Sequence, residues 1–277
     1  MAEYYKAEKV TDFITAIRSL TGEILYLIEG KNKAALIDTC LGVGHLKDFV
    51  ESLTTKPLMV LLTHGHVDHA MGAPEFTEVY MNHADLSVYE EMSPLEERIG
   101  YMRANLGEEM PDFSDADYVK PSPAQFLNLQ NGDRFDLGGI HLTVYGLPGH
   151  TKGSMVILIE EEEILILGDA CNQATFLFDK NSLPVEAYKD NLEKLSKKLK
   201  GTYKRVFLSH HDMEASTDLM DSVIDVCREI LNHEADDIPF EFMGQTSYIA
   251  KAVGEGFKRL DGKEGNIIYN KDKETRA

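Results

Sequence analysis

The sequence predicts an α/β protein, and three observations carry that expectation. Short apolar runs rich in Val, Ile and Leu recur along the chain, stretches of helical spacing fall between several of them, and Gly, Asn and Asp mark the joins. The run at 23–28 is separated from the run at 34–37 by E-G-K-N-K, a pattern that reads as a β-hairpin. Over 44–53, Leu46, Phe49, Val50 and Leu53 return at helical spacing, so one face of a helix is apolar. Pro57 stands between that helix and L-M-V-L-L at 58–62, a candidate buried strand that delivers the chain to His64. Further strands are expected at 126–129, 140–147, 155–159 and 164–167, with N-G-D and L-G-G as tight connections. A helix over 185–199 leads to R-V-F-L-S-H-H, again a strand ending in histidine, and a second helix covers 217–232. Residues 85–124, rich in Met, Pro, Glu and Tyr, break the strand pattern with helices and read as an insertion. No repeat, low-complexity tract or linker divides the chain, so one domain over residues 1–277 is expected.

Composition narrows the function classes. With 43% hydrophobic and 27% charged residues the chain is of ordinary globular composition, and no stretch approaches the roughly 18 to 20 apolar residues that cross a bilayer. No membrane partner is expected. The opening M-A-E-Y-Y-K-A-E-K-V lacks an apolar core, so no signal peptide is read and the expected location is cytoplasmic. Three widely spaced cysteines fit a reducing compartment better than a disulfide framework. A net charge of -19 repels polyanions, and no basic stripe offsets it, which excludes nucleic acid as an expected partner. The excess carboxylates are read as solubility.

One segment carries chemistry. In H-G-H-V-D-H at 64–69, His64 and His66 are two residues apart on chain leaving a strand, so both imidazoles can point the same way, and Gly65 allows a tight turn between them. Asp68 and His69 sit adjacent and diverge, which suits a neighbouring second metal. A lone histidine is more often a polar group satisfied in a loop, but a cluster of this kind reverses that preference. Three later segments add ligand-type side chains at strand ends: G-H-T-K-G-S around His150, I-L-G-D at Asp169, and F-L-S-H-H at His210 and His211.

With these segments in this order, the sequence resembles the metallo-β-lactamase superfamily, nearest to its glyoxalase II-like branch, over about residues 23–211. The resemblance implies a four-layer αββα sandwich of two mixed sheets, here with a helical insertion. It also implies that His64, His66 and His150 bind a first metal, that Asp68, His69 and His210 bind a second, and that Asp169 bridges both, with Asp68 and Asp169 as the catalytic carboxylates. His210 is preferred to His211 because it directly follows the strand. Asp38, in L-I-D-T-C, matches a position that supports the site in the family, while a turn-forming aspartate closing a strand is the other reading. His45, His83, His141 and His233 match no motif and read as structural or surface residues.

Imidazoles and carboxylates suit two divalent ions, zinc first, with manganese and iron also compatible. Cys171 reads as a packed thiol, and Asp169 stands where class B β-lactamases commonly use cysteine, so a β-lactam is not the expected substrate. Coordination can lower the pKa of water from about 15.7 to about 7, roughly 12 kcal/mol of differential stabilisation. The implied function is therefore hydrolysis of a small thioester, ester or lactone by a metal-bridging hydroxide. Phosphodiester hydrolysis and a mononuclear iron persulfide dioxygenase-like activity are the alternatives. A small-molecule substrate is the expected partner. The insertion at 85–124 has two readings: a helical cap whose Met92, Leu95, Ile99, Tyr101, Met102 and Leu106 line a substrate pocket, or a segment packed onto the sheets or into a homodimer contact. Arg98 and Arg103 read as solvated surface charges.

Overall fold

The apolar runs of the first half of the chain assemble into one sheet. A computed structural model describes residues 4–275 apart from 124 and 243, so the expected end of the insertion at Ala124 lies outside the described residues. The chain forms two compact units, Met1–Thr143 and Val144–Ala277.

In the first unit, β1 (Tyr5–Lys9), β2 (Ile14–Ser19), β3 (Ile24–Glu29) and β4 (Ala34–Ile37) form an antiparallel meander. The hairpin expected around E-G-K-N-K is β3 with β4, Glu29 opposite Ala34. β1 and β2 were not legible. β1 is an edge strand exposed at four of its five residues, and Thr15 and Arg18 interrupt the apolar pattern of β2. Helix α1 (Leu46–Leu53) buries Leu46 and Val50 and carries the chain across to β5 (Leu58–Leu61), which pairs parallel to β4. The one-turn helix α2 (Val67–Ala70) follows, then β6 (Val79–Met81), α3 (Leu86–Met92), α4 (Leu95–Leu106) and β7 (Leu127–Asn128), closing the sheet order β1-β2-β3-β4-β5-β6-β7. β7 is two residues long, shorter than the expected 126–129, because it is the outermost strand and both its side chains are exposed. A hairpin of β8 (Arg134–Asp136) and β9 (His141–Gly146) ends the unit, the division falling within β9.

The insertion packs onto this unit's core. Met102, Tyr89 and Tyr118 are buried with Leu27, Leu36 and Val60 of the sheet, so Met102 packs as a core residue. Arg98, one helical turn before Met102 on the same face of α4, is buried rather than solvated. Its Nη1 lies 3.4 Å from the carbonyls of Leu41 and Gly42, and burial pushes the guanidinium pKa below its usual range. Arg103 is exposed as expected.

The second unit contains β10 (Met155–Ile159), β11 (Ile164–Ile166), β12 (Thr175–Leu177), α5 (Val185–Leu199), β13 (Arg205–Phe207), β14 (Glu214–Ala215), α6 (Leu219–Leu231), β15 (Ile238–Phe242), β16 (Gln245–Ile249) and β17 (Ile267–Tyr269). β10 and β11 pair antiparallel, β13 adds parallel to β11, and β14 adds antiparallel to β13. A separate four-stranded sheet runs β12-β17-β16-β15. Both helices are amphipathic: α5 buries Val185, Tyr188, Leu192, Leu195 and Leu199, a spacing of three and four. They close one core with Leu165, Val206, Ile267 and Tyr269. Burial of each such aliphatic side chain contributes about 1.5–3 kcal/mol.

Candidate metal centre

β5 ends at Leu61, and the two residues after it set the geometry of the first half of the site. Asp38 leaves β4 in the left-handed region at φ 64°, which Asp tolerates, and so turns its carboxylate back beside the end of β5. The Thr63 amide donates to Asp38 Oδ1 at 2.7 Å, and the Thr63 hydroxyl donates to Asp38 Oδ2 at 2.8 Å. That hydroxyl has given its proton to Asp38, so it accepts from His64 Nδ1 at 3.0 Å. Asp38 Oδ2 also takes the Nδ1 proton of His69 at 2.8 Å, both residues being buried. The two readings of Asp38 thus hold together, since the turn that closes β4 is what brings the carboxylate to His69.

His66 caps α2 from an extended backbone at φ -69° and ψ 160°, and its carbonyl accepts the amides of His69 and Ala70. His64 and His66 offer ring nitrogens within 4.8 Å of each other, and so do Asp68 and His69 with a carboxylate oxygen and a ring nitrogen. Gly65 is required by close approach: a Cβ there would meet the Asp85 carbonyl at 2.8 Å, while its amide donates to Asp85 Oδ2 at 3.1 Å. A contact invisible in the sequence falls on Asp68. The Tyr101 hydroxyl, from α4, donates to Asp68 Oδ2 at 2.8 Å.

In the second unit, the loop before β10 carries His150. Gly149 sits so close to α5 that a Cβ would meet Tyr188 Cδ2 at 2.0 Å, and Ser182 Oγ donates to the His150 carbonyl at 3.0 Å. His150 Nδ1 lies 2.9 Å from the Phe176 carbonyl, which can only accept, so the proton is on Nδ1. Asp169 lies in the short 3-10 turn after β11, its Oδ1 accepting from Asn172 Nδ2 at 3.3 Å. His210, three residues beyond the end of β13, places Nε2 3.3 Å from Asp169 Oδ2. His211 turns away at φ 58° and is exposed, its ring 5.7 Å from that of Phe257. Cys171 is fully buried, and burial pushes its thiol up to about 12, so it stays protonated as a packed group. His45, His83 and His233 are exposed, and His141 is half-buried.

The donor set suits divalent metal. Ligating imidazoles as a rule donate their second nitrogen to a carboxylate, hydroxyl or carbonyl, which fixes the tautomer and directs the other nitrogen to the ion. His64, His69 and His150 all bond such a group through Nδ1, the arrangement in which Nε2 would be the ligating atom. Thr63 had a signal in the sequence as a polar residue ending an apolar strand, Tyr101 had one only as a pocket-lining candidate of the insertion, and the Phe176 carbonyl had none.

The sequence profile of the metallo-beta-lactamase superfamily matches residues 25–210. Among curated relatives, the acyl-coenzyme A thioesterase MBLAC2 of Homo sapiens is 29% identical over 170 residues, 52% of this chain and 57% of that protein. The Gallus gallus protein of the same name is 30% identical over 160 residues, 52% of this chain and 56% of its own length. The chain thus spans less than two thirds of these relatives. Among solved structures, a metallo-beta-lactamase from Pontibacter korlensis superposes with a TM-score of 0.59 over 80% of this chain and 97% of its own, at 18% identity. The sec-alkylsulfatase Pisa1 from Pseudomonas sp. gives 0.63 over 83% of this chain and 42% of its own, at 15% identity. At such identities these two likenesses speak for the fold alone.

Proposed function

The chain belongs to the metallo-beta-lactamase superfamily, and on that premise we propose that it is a metal-dependent hydrolase of acyl thioesters. The observation that carries the metal part is the shared Nδ1 anchoring of His64, His69 and His150, which readies three imidazoles to ligate through the same atom. In our assignment, which follows the family resemblance, His64, His66 and His150 would hold one ion and Asp68, His69 and His210 a second, with Asp169 serving both. Zinc is the proposed metal, supported by the imidazole-rich donor set. Bound divalent ions would lower the pKa of water and polarise the carbonyl under attack. The protein's own part is orientation: Thr63 and Asp38 fix two rings, Tyr101 fixes the Asp68 carboxylate, and Asp169 would direct the attacking water. The reaction adds water across the acyl C–S bond, giving a carboxylate and a thiol. Thioesters are preferred to other acyl substrates because the MBLAC2 proteins are named acyl-coenzyme A thioesterases. Three buried free thiols support the cytoplasm as the proposed location. Among the described residues no helix is long and apolar enough to cross a membrane.

The test is thiol release from acyl thioesters, set beside an oxygen ester and a phosphodiester, for wild type and Asp169→Ala. Thioesters should turn over fastest, and Asp169→Ala should lose roughly a hundredfold or more. Fastest turnover of the phosphodiester, or full activity in Asp169→Ala, would overturn the proposal.

A further inference from the structure

The four-stranded sheet β12-β17-β16-β15 has two apolar faces of different character. One packs Leu177, Ile267 and Tyr269 into the core beneath α5 and α6. On the other, Ile249 and Ile268 are buried under a group of phenylalanines. Strand alternation puts Phe240 and Phe242 of β15 on that face, with Glu241 turned the opposite way to bond Thr246 Oγ1 at 2.6 Å. Phe176 of β12 lies 5.5 Å from Phe242 and 5.1 Å from Phe178, ring centre to ring centre, and Phe240 lies 6.0 Å from Phe257. Phe176, Phe240, Phe242 and Phe257 remain only half-buried, on a chain of net charge -19. An aromatic face left partly open in so polar a molecule calls for an apolar occupant.

This face is continuous with the ligand-bearing residues of its own unit. The Phe176 carbonyl holds His150 Nδ1, the Phe257 ring lies against His211, the neighbour of His210 in sequence, and the turn carrying Asp169 feeds into β12 six residues later. An acyl group whose carbonyl sits at those residues would lay its hydrocarbon chain along the rings. The charged phosphates of a CoA leaving group gain nothing from them, whereas each methylene laid on apolar surface does.

We propose that Phe176, Phe178, Phe240, Phe242 and Phe257 form the binding face for the hydrocarbon chain of an acyl thioester, so that chain length is selected by the C-terminal sheet. The proposal rests on the thioester reading above. It places selection outside the 85–124 insertion, on a face whose Phe240, Phe242 and Phe257 lie beyond residues 25–210, which match the family. The face reads length by area and not by hydrogen bonding, so discrimination is graded, about 10- to 200-fold for each well-packed increment at most.

The test compares kcat/KM on acetyl, butanoyl, octanoyl and dodecanoyl thioesters for wild type, Phe242→Ala, and Phe242→Leu as a variant that keeps most of the apolar volume. Metal content and Tm are measured for each, and displacement of a fluorescent fatty acid serves as a binding readout independent of turnover. Wild type should favour the longer chains. Phe242→Ala should lose little on acetyl and roughly tenfold or more on dodecanoyl, with Phe242→Leu between them and metal content unchanged. Equal losses at every length, unaltered fatty-acid binding in Phe242→Ala, or a dimer that dissociates on Phe242→Ala would each overturn the proposal. If wild type cleaves no thioester, the functional reading fails separately, and the fatty-acid displacement alone then decides for or against the face.

Discussion

Three imidazoles are anchored through Nδ1, and two of them depend on one carboxylate. Asp38 receives His69 directly and His64 through the Thr63 hydroxyl. Asp38→Asn keeps the shape and tolerates the left-handed backbone, but it replaces an acceptor with an amide that can also donate. We predict 10- to 100-fold weaker metal retention, roughly, in chelator competition; unchanged retention would remove Asp38 from the metal account. Tyr101→Phe deletes only the hydroxyl on Asp68. A hydrogen bond to a charged group contributes about 1.5–3 kcal/mol to stability, so Tm should fall by roughly 2–4 °C per kcal/mol, and turnover should fall roughly tenfold or more as the Asp68 carboxylate loses its orientation. A wild-type rate in Tyr101→Phe would show the contact to be incidental. At this scale the sequence displayed the candidate ligands, because they sit in short motifs at strand ends. It hid Arg98 and Tyr101, whose environments are set by residues 57 and 33 positions away. A guanidinium in the interior runs against the general preference for solvent, and no local pattern announces it.

Elements whose own sequence carries a period were legible: β3, β4, α1, β5, β10, β11, α5 and α6 lie where the apolar spacing puts them. β12, β15, β16 and β17 were not. I-P-F-E-F of β15 contains a proline, which an edge strand tolerates but which argues against a strand when read alone, and β12 and β17 are three residues each. Two predictions belong to this scale. Gly149→Ala drives a methyl into the Tyr188 ring, so it should destabilise by about 1–3 kcal/mol and lower Tm by roughly 2–4 °C per kcal/mol; an unchanged Tm would contradict that packing. The second concerns the turn before β17, where Arg259 binds both carboxylate oxygens of Asp261 and donates Nη1 to the Gly265 carbonyl at 2.9 Å. The Arg259 hydrogen bonds, ahead of every other influence, hold the Asp261 pKa below its usual range. Because the folded pKa is the lower one, the stabilisation is present above the ordinary carboxylate range near pH 4 and is lost as pH falls through the depressed folded value. Asp261→Asn should therefore be less stable than wild type at pH 7 in urea unfolding, and the gap should close on acidification. A gap independent of pH would show that the ion pair does not contribute.

At the scale of the whole chain, the order of motifs from His64 to His210 was enough to indicate the family, whose profile matches residues 25–210. Strands β15, β16 and β17, beyond residue 210, carry no such motif in their sequence, and Phe240 and Phe242 became meaningful only once strand pairing put them on one face with Phe176 of β12. The account as a whole depends on metal. Its most direct test is the rate of acyl-thioester hydrolysis by protein stripped with a chelator, shown by elemental analysis to be metal-free, and then reconstituted with zinc. We predict that stripping lowers the rate roughly a hundredfold or more and that about two equivalents of zinc per chain restore it. A metal-free protein that hydrolyses the thioester at the untreated rate would contradict the central claim.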